Sequence, residues 1–396
     1  MSISLSVKNI HNEIIDGEYT VKADIDTDGD VSEVYFTSQE INTGLQKLGD
    51  PYLCSMLLPA MKIGAKLIID APVSRSLYEK ASTIIQDIYF CWDRSLHRIE
   101  IEAIIEEDSN EELRSEASFF SGGLDSLYTL NKHKDSITHT AFVWGFDIPL
   151  ENEKLWNESK NYLNDAAGRY DKTPIYVKTN VKKWAEQYVD WGMYHGGALA
   201  AIGHFISGSV GKIYIGSSHT FENLFPWGSH YILDPLWSTL KTEFVHDGCE
   251  ATRVEKAEAI SNDQVALDII RVCYKNPKGA YNCGKCDKCL RTMMNLKAVG
   301  ALDKCKTLPH QLDYKKISGA EILNESALSF FLENLEAAKR TGQVELSSAL
   351  NEAISNKGRY HFKTIFRNYV MQPIWLKTPK FIKNIIRFSI GRPVDQ

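Results

Sequence analysis

Two groups of residues in this 396-residue chain have the types and spacing that chemistry requires. The first is Ser121-Gly122-Gly123-Leu124-Asp125-Ser126, which follows the apolar run Ala117–Phe120 and precedes a stretch with helical spacing from Leu127 to Lys134. A turn from strand to helix leaves backbone N–H groups unpaired at the helix start, and the helix dipole adds positive charge there. Together they make an anion site. Gly122 and Gly123 lack a Cβ, so phosphate oxygens can reach the backbone. Ser121 and Ser126 bring hydroxyl donors. Asp125 would repel phosphate, which suits it to partnering Mg²⁺ or to capping the loop. No Lys follows the second glycine, so the loop is not of the Walker type.

The second group is Cys273, Cys283, Cys286 and Cys289. Three of these lie within seven residues, a spacing poor for disulfides and good for a metal. Four thiolates with no open position describe a structural Zn²⁺ site. An iron–sulfur cluster is the competing reading, and unliganded thiols are the third. Lys285, Asp287 and Lys288 between the ligands favour an exposed zinc loop. Of the other cysteines, Cys249 is isolated, and Cys54, Cys91 and Cys305 have no assignable role.

These residues need elements to position them. Short apolar runs at Ala117–Phe120, Thr138–Trp144, Ile175–Val177 and Lys212–Ile215 alternate with helical stretches at Leu127–Lys134, Glu153–Ala167 and His195–Ile206. This alternation predicts an α/β, doubly wound parallel sheet over residues 116–300, with ligands beyond the carboxyl ends of its strands. Residues 1–115 read as a separate α+β domain. It has strands near Tyr19–Ile25, Val34–Thr37 and 98–105, and a helix over Val73–Tyr89 that Ser74 or Ser76 would cap. An acidic stretch from Glu106 to Glu112 reads as a linker. Residues 301–356 read as a helical region, with helices at Ala327–Ala338 and Leu346–Ile354. Residues 357–396 form a basic amphipathic tail with nine Lys/Arg and one acid, suited to contact with RNA, a membrane surface or an acidic protein.

The strand ends supply further candidates. Asp147, after Phe146, could contact an adenosine or cap a helix. Ser217 and Ser218 could face a reactive intermediate. Lys256 could neutralise developing phosphate charge. Arg291 could hold a carboxylate bidentately. His195, His219, His230 and His246 are candidate acid–base groups, and Phe225, Trp227 and Trp237 could stack on a flat substrate.

Composition bounds the rest. The net charge is −6, which argues against a protein that coats nucleic acid with its whole surface, and 11% aromatic content argues against disorder. No segment approaches the roughly 18 apolar residues of a membrane span. The first residues lack a cationic start before an apolar core, so a cytoplasmic location with reduced thiols is expected.

The loop SGGLDS resembles the signature of the PP-loop ATP pyrophosphatase superfamily. The order SGGLDS, then Lys256-Ala-Glu, then Cys273 and Cys283-Gly-Lys-Cys-Asp-Lys-Cys-Leu-Arg291, resembles the 7-cyano-7-deazaguanine synthase family of queuosine biosynthesis over about residues 117–300. The resemblance implies a PP-loop nucleotide-binding fold in which Ser121–Ser126 hold the departing pyrophosphate of ATP. It gives Cys273, Cys283, Cys286 and Cys289 the zinc; with the strand-end candidates, the expected catalytic residues are Asp125, Ser126 and Lys256, and Asp147, Ser217 and Ser218 are expected at the nucleotide. The implied activity is that of an ATP-dependent ligase. A carboxylate or amide oxygen is adenylated with release of pyrophosphate, and ammonia, or nitrogen from an ammonia donor, then displaces AMP. The segment Gly216–Tyr231 does not reproduce the family's substrate-recognition stretch, so the acceptor half is rebuilt. Two other functions fit the same motifs. An RNA sulfurtransferase would use a reactive cysteine such as Cys249, and a non-catalytic nucleotide sensor would bind ATP without turnover.

Overall fold

The computed structural model describes residues 3–41, 47–108, 115–322 and 325–356. The chain divides into two compact units, Met1–His310 and Gln311–Gln396. In chain order the first unit begins with β1 (Ser4–Ile15), β2 (Glu18–Thr27), β3 (Asp30–Ser38), α1 (Asp50–Ile63), β4 (Lys66–Ser74), α2 (Arg75–Ser82), α3 (Ile84–Trp92) and β5 (Ile101–Glu106). It continues with β6 (Glu116–Phe119), α4 (Leu124–Lys132), β7 (Ile137–Trp144), α5 (Glu153–Tyr170), β8 (Thr173–Thr179), α6 (Val181–Ala185) and α7 (Trp191–Phe205). It closes with β9 (Lys212–Gly216), β10 (Glu243–Asp247), α8 (Arg253–Ile260), α9 (Gln264–Ile269) and α10 (Asp287–Ala298).

All ten strands form one sheet in the order β10-β9-β6-β7-β8-β3-β2-β1-β4-β5. The five strands from β10 to β8 are parallel, as the β–α alternation predicts. The chain steps outward from β6 to β7 to β8, then returns through α6 and α7 to lay β9 on the other side of β6. The order therefore reverses between β6 and β9. Such a switch point opens a crevice at the carboxyl ends of the two strands.

Helices pack on both faces of the sheet. On one face Ala141, Val143, Val177, Ile213 and Ile215 join a single core with α1 and α7. On the other, Phe142 and Tyr176 meet Trp156 of α5 with ring centroids 5.1 and 5.8 Å apart.

The separation expected near residue 115 does not divide the compact units. β3 pairs antiparallel with β8 through Phe36–Thr179 and Thr37–Lys178. Asn180 reinforces the seam: its Oδ1 accepts from Tyr35 N at 3.1 Å and its Nδ2 donates to Glu33 O at 2.7 Å. Alternation on β2 buries Tyr19, Val21, Ala23 and Ile25, and the Tyr19 and Phe36 rings both reach Phe205 of α7 at 5.9 Å. The described strands and helices before residue 115 thus extend the same sheet over the same core. Because β1–β3 and β3–β8 pair antiparallel, the whole sheet is mixed rather than purely parallel.

The helix expected over Val73–Tyr89 also differs. β4 runs through Ser74, and two helices meet at Thr83, whose backbone (φ −129, ψ −97) breaks the ladder. Ser74 stands at the N-cap position but spends its hydroxyl on Asp50 Oδ2 at 2.6 Å. The strand expected over 98–105 begins at Ile101.

In the second unit, described by itself, α11 (Tyr314–Ser318), α12 (Glu325–Arg340) and α13 (Val344–Ser355) follow in order. The helices expected at Ala327–Ala338 and Leu346–Ile354 lie within α12 and α13. Leu346, Ala349, Leu350 and Ala353 form the buried stripe of α13 at helical spacing. The basic tail, 357–396, and residues 109–114 of the acidic stretch and its continuation lie outside the described residues. Among the described residues, no helix is long and apolar enough to cross a membrane.

Candidate functional site

The strand β6 ends at Phe119, and Gly123 occupies the N-cap position of α4 with extended backbone (φ −75, ψ 159). Gly123 has no side chain with which to cap this helix, and among the described residues no side-chain cap is made to its first N–H groups. Gly122 adopts φ +72, a conformation that favours glycine, and its carbonyl accepts from Arg271 N at 2.9 Å. Ser121 is half-buried beside Gly123. Leu124 is buried and anchors the first turn in the core. Ser126 turns back into its own turn and donates to Gly123 O at 2.9 Å, so its hydrogen is spent within the loop.

Asp125 is the centre of a converging set. Arg253 Nη1 donates to Oδ2, and Ser218 Oγ donates to the same oxygen at 2.9 Å. Lys256 Nζ lies 3.6 Å from Oδ1, an oxygen with no hydrogen-bond partner of its own. Burial alone would raise the Asp125 carboxyl. Arg253, Lys256, Ser218 and Arg291 outweigh that and hold it at about 2. Lys256 is fully buried rather than on a helix surface, and its ammonium also donates to Ser217 O at 2.5 Å. Both cations stand on α8, which a complete capping box on Thr252 and Glu255 starts.

The end of β9 touches the first turn of α4. A Cβ on Gly216 would sit 3.1 Å from the carbonyl carbon and oxygen of Asp125, a tight approach that favours glycine. The contact sets Ser217 and Ser218 directly against the loop. Ser217 N donates to Asp247 O at 2.7 Å, and its hydroxyl donates to His219 O at 2.8 Å.

Asp147 belongs to a second flank, at the end of β7. Burial raises its carboxyl, but Lys288, Arg271, Lys182 and His195 bring it below the usual range. Asn276 ties this flank to the loop. It donates to Asp147 O at 2.8 Å and accepts from Arg271 Nη2 at 2.7 Å, while Arg271 N holds Gly122. Arg253, Arg271 and Asn276 were not singled out by sequence spacing. Arg253 stands three residues before Lys256 on the same short helix, the one signal that could have marked it.

The four cysteines come together as expected. The Sγ atoms of Cys273, Cys283, Cys286 and Cys289 all lie within 4.8 Å of one another, and this is the only group of three or more such side chains gathered among the described residues. Cys283 and Cys289 are 3.9 Å apart, close to the ~3.8 Å edge of a tetrahedron with metal–sulfur bonds of ~2.3 Å. The cluster could hold a metal ion such as zinc. Cys283 Sγ accepts from the backbone N–H of Lys285 at 3.4 Å and of Cys286 at 3.2 Å. Burial opposes ionisation of this thiol, but those N–H groups and the neighbouring thiols bring it down to about 7. Asn282 joins the two arms, accepting from Val272 N and Cys273 N and donating to Ile270 O at 2.8 Å. Cys286 caps α10, so the metal loop and the helix that carries Lys288 and Arg291 are one construction.

A small cleft opens beside Ser217 and Ser218, lined also by His195, Phe225, Trp227 and His246. His195 is fixed: its Nδ1 meets Trp191 O at 3.1 Å and its Nε2 accepts from Ser229 N at 3.2 Å. Burial, then Arg291, pushes His219 down to about 4. His230 also lines the cleft. Trp237 does not reach it and is a fully buried core residue. Cys249 is 2% exposed, with its thiol donating to Ser217 Oγ at 3.4 Å.

Compared with known proteins, the chain matches no family model, no curated protein and no solved structure.

Proposed function

We propose that the protein is an ATP-dependent adenylating enzyme of the PP-loop type, similar to 7-cyano-7-deazaguanine synthases in its nucleotide half. The observation that carries this reading is the convergence of Gly122–Leu124, Asp125, Arg253, Lys256 and Arg271 on the switch point between β6 and β9. An uncapped helix start with Arg253 and Lys256 beside its first turn is suited to a polyphosphate. ATP, with Mg²⁺, would place its leaving pyrophosphate against Ser121–Ser126. An acceptor carboxylate or amide oxygen attacks the α phosphorus, the bond to the β-phosphate bridge breaks, and pyrophosphate departs toward the loop. Lys256 and Arg253 take up the charge that develops there, so that catalysis is largely positioning and electrostatics. Ammonia or an equivalent nitrogen nucleophile then attacks the activated carbon and AMP leaves.

Zinc in the four-cysteine site would hold α10 in place and with it Lys288 and Arg291. Thiolates kept reduced for a metal fit a cytoplasmic setting. The burial of Cys249 favours nitrogen over sulfur as the nucleophile, since a sulfurtransferase needs an accessible thiolate. The test is ATP–pyrophosphate exchange and AMP release by the full chain with a small-molecule extract as acceptor source. Exchange that Asp125→Ala abolishes is the expected result. ATP bound tightly without AMP under any acceptor would favour the nucleotide sensor.

A further inference from the structure

The cleft beside Ser217 and Ser218 contains a pair of groups that the loop chemistry leaves unused. Asp234 is completely buried, and each of its oxygens is committed. Oδ2 accepts from Ser229 Oγ at 2.6 Å and meets His246 Nδ1 at 2.7 Å, while Oδ1 accepts from His230 N at 3.2 Å. A carboxylate fixed in this way holds the imidazole by one nitrogen and assigns a proton to Nδ1. The other nitrogen is the working end. His246 has a side chain 3% exposed, and its ring lines the cleft. Beyond the Cys249 thiol that flanks the ring, Nε2 has no hydrogen-bond partner among the described residues.

The neighbouring groups define what this atom offers. Asp234, Cys249 and His230 are the titratable groups around the ring. Burial lowers the imidazole, but Asp234 and Cys249 outweigh it and raise it to about 9. At neutral pH His246 is therefore a cation whose Nε2–H is flanked, among the described residues, only by the Cys249 thiol. His195, by contrast, has both nitrogens engaged. Phe225 and Trp227 form an aromatic wall of the same cleft, with rings 5.6 Å apart. Ser217 and Ser218, just past the end of β9, line the same cleft, where Ser218 Oγ donates to Asp125 and Ser217 O accepts from Lys256.

We propose that this cleft is the acceptor site of the adenylating reaction, and that His246, held by Asp234, binds the acceptor's carboxylate through Nε2–H. The inference rests on the adenylating reading. The favoured ligand is an anionic oxygen on a flat ring: the imidazolium holds a carboxylate oxygen and the aromatic wall takes the ring. Asp234 is a positioning residue.

The test uses the full chain, with benzoate as a flat carboxylate and benzamide as its neutral analogue, and measures binding of each by calorimetry. A donor that is charged separates the two by about tenfold or more in favour of benzoate at pH 7. The preference falls below about twofold in His246→Gln, by the same reasoning. In the wild type it fades as the pH rises through about 9, where the imidazolium loses its proton. Equal binding of the two probes, binding of neither, or an unchanged preference in His246→Gln overturns the assignment. Should that variant fail to fold, the wild-type pH series decides alone. MgATP binding is measured in parallel. Its absence from the wild type sinks the adenylating reading, whereas MgATP binding without a benzoate preference sinks only the role of His246.

Discussion

The guanidinium of Arg253 and the carboxylate of Asp125 form a hydrogen-bonded ion pair across 128 residues of sequence. It joins the first turn of α4 to the start of α8, with Lys256 completing the set one turn further on. The pair explains why an acid stands in a loop otherwise built for anions. Asp125 holds two cations in place at the crevice, and both are too buried to stand unpaired.

Asp125→Ala is therefore expected to do two things. It abolishes ATP–pyrophosphate exchange, and by orphaning buried Arg253 and Lys256 it lowers unfolding free energy by about 3–5 kcal/mol. Because the folded carboxyl is held at about 2, its stabilising contribution is complete above the ordinary aspartate range and lost as pH falls through 2. Denaturant titrations at pH 2 to 6 should show that acid loss in the wild type and a reduced one in Asp125→Asn. Full exchange activity in Asp125→Ala would refute the assignment.

Gly216→Ala places a methyl 3.1 Å from the Asp125 carbonyl, against the backbone of the first turn of α4. Neither side can yield without moving the loop, so a cost of about 1–3 kcal/mol is expected. MgATP affinity should weaken with it. A variant with wild-type melting and affinity would show that the crossing is not tight.

The four-cysteine cluster predicts one zinc per chain by elemental analysis and no visible absorption. A brown protein with iron would replace zinc by an iron–sulfur cluster. Cys283→Ser or exhaustive chelation should lower the melting temperature and weaken MgATP binding, since Arg291 lies on the helix that Cys286 caps. Chelation with no effect on nucleotide binding would separate the two sites.

Asp50 gives a pH signature remote from the site. Its buried carboxyl accepts from Ser74 N at 2.7 Å and Ser74 Oγ at 2.6 Å, yet burial dominates and raises it to about 7. The folded state thus favours the proton. The associated stability is full below the ordinary aspartate range and is lost as pH rises through 7. Asp50→Asn should flatten this dependence and match or exceed the wild type at pH 8. A steeper loss at pH 8 in the variant would contradict it.

Cys91 is exposed and Cys249 is buried. Iodoacetamide should label Cys91 in the folded chain well before Cys249, as read by peptide mass spectrometry. Rapid labelling of Cys249 would revive the sulfur-transfer reading.

What could be read in advance was local. SGGLDS between strand and helix and the spacing of Cys283, Cys286 and Cys289 need only neighbours in sequence, and the strand-to-helix turn and the cysteine cluster both form where those residues stand. Arg253, Arg271 and the Asp234–His246 pair were invisible as partners because their meaning comes from contacts across the crevice. The helix α1 gave no amphipathic period, since residues Asp50 to Met61 are all buried. The joining of β3 to β8 rests on two residue pairs, and no periodicity within either strand announces its neighbour.

That narrow junction decides how the protein can be divided. A fragment starting at residue 116 would leave β8 as a bare edge, with Tyr176 and Thr179 offering unpaired backbone to any other chain. It would also strip α1 from α7 and uncover Ala198, Ala201 and Phe205, which lie in one core with Leu53 and Leu57. The segment that carries the recognisable loop is therefore not a portable module. Its core and one sheet edge are completed by elements from the hundred residues before it.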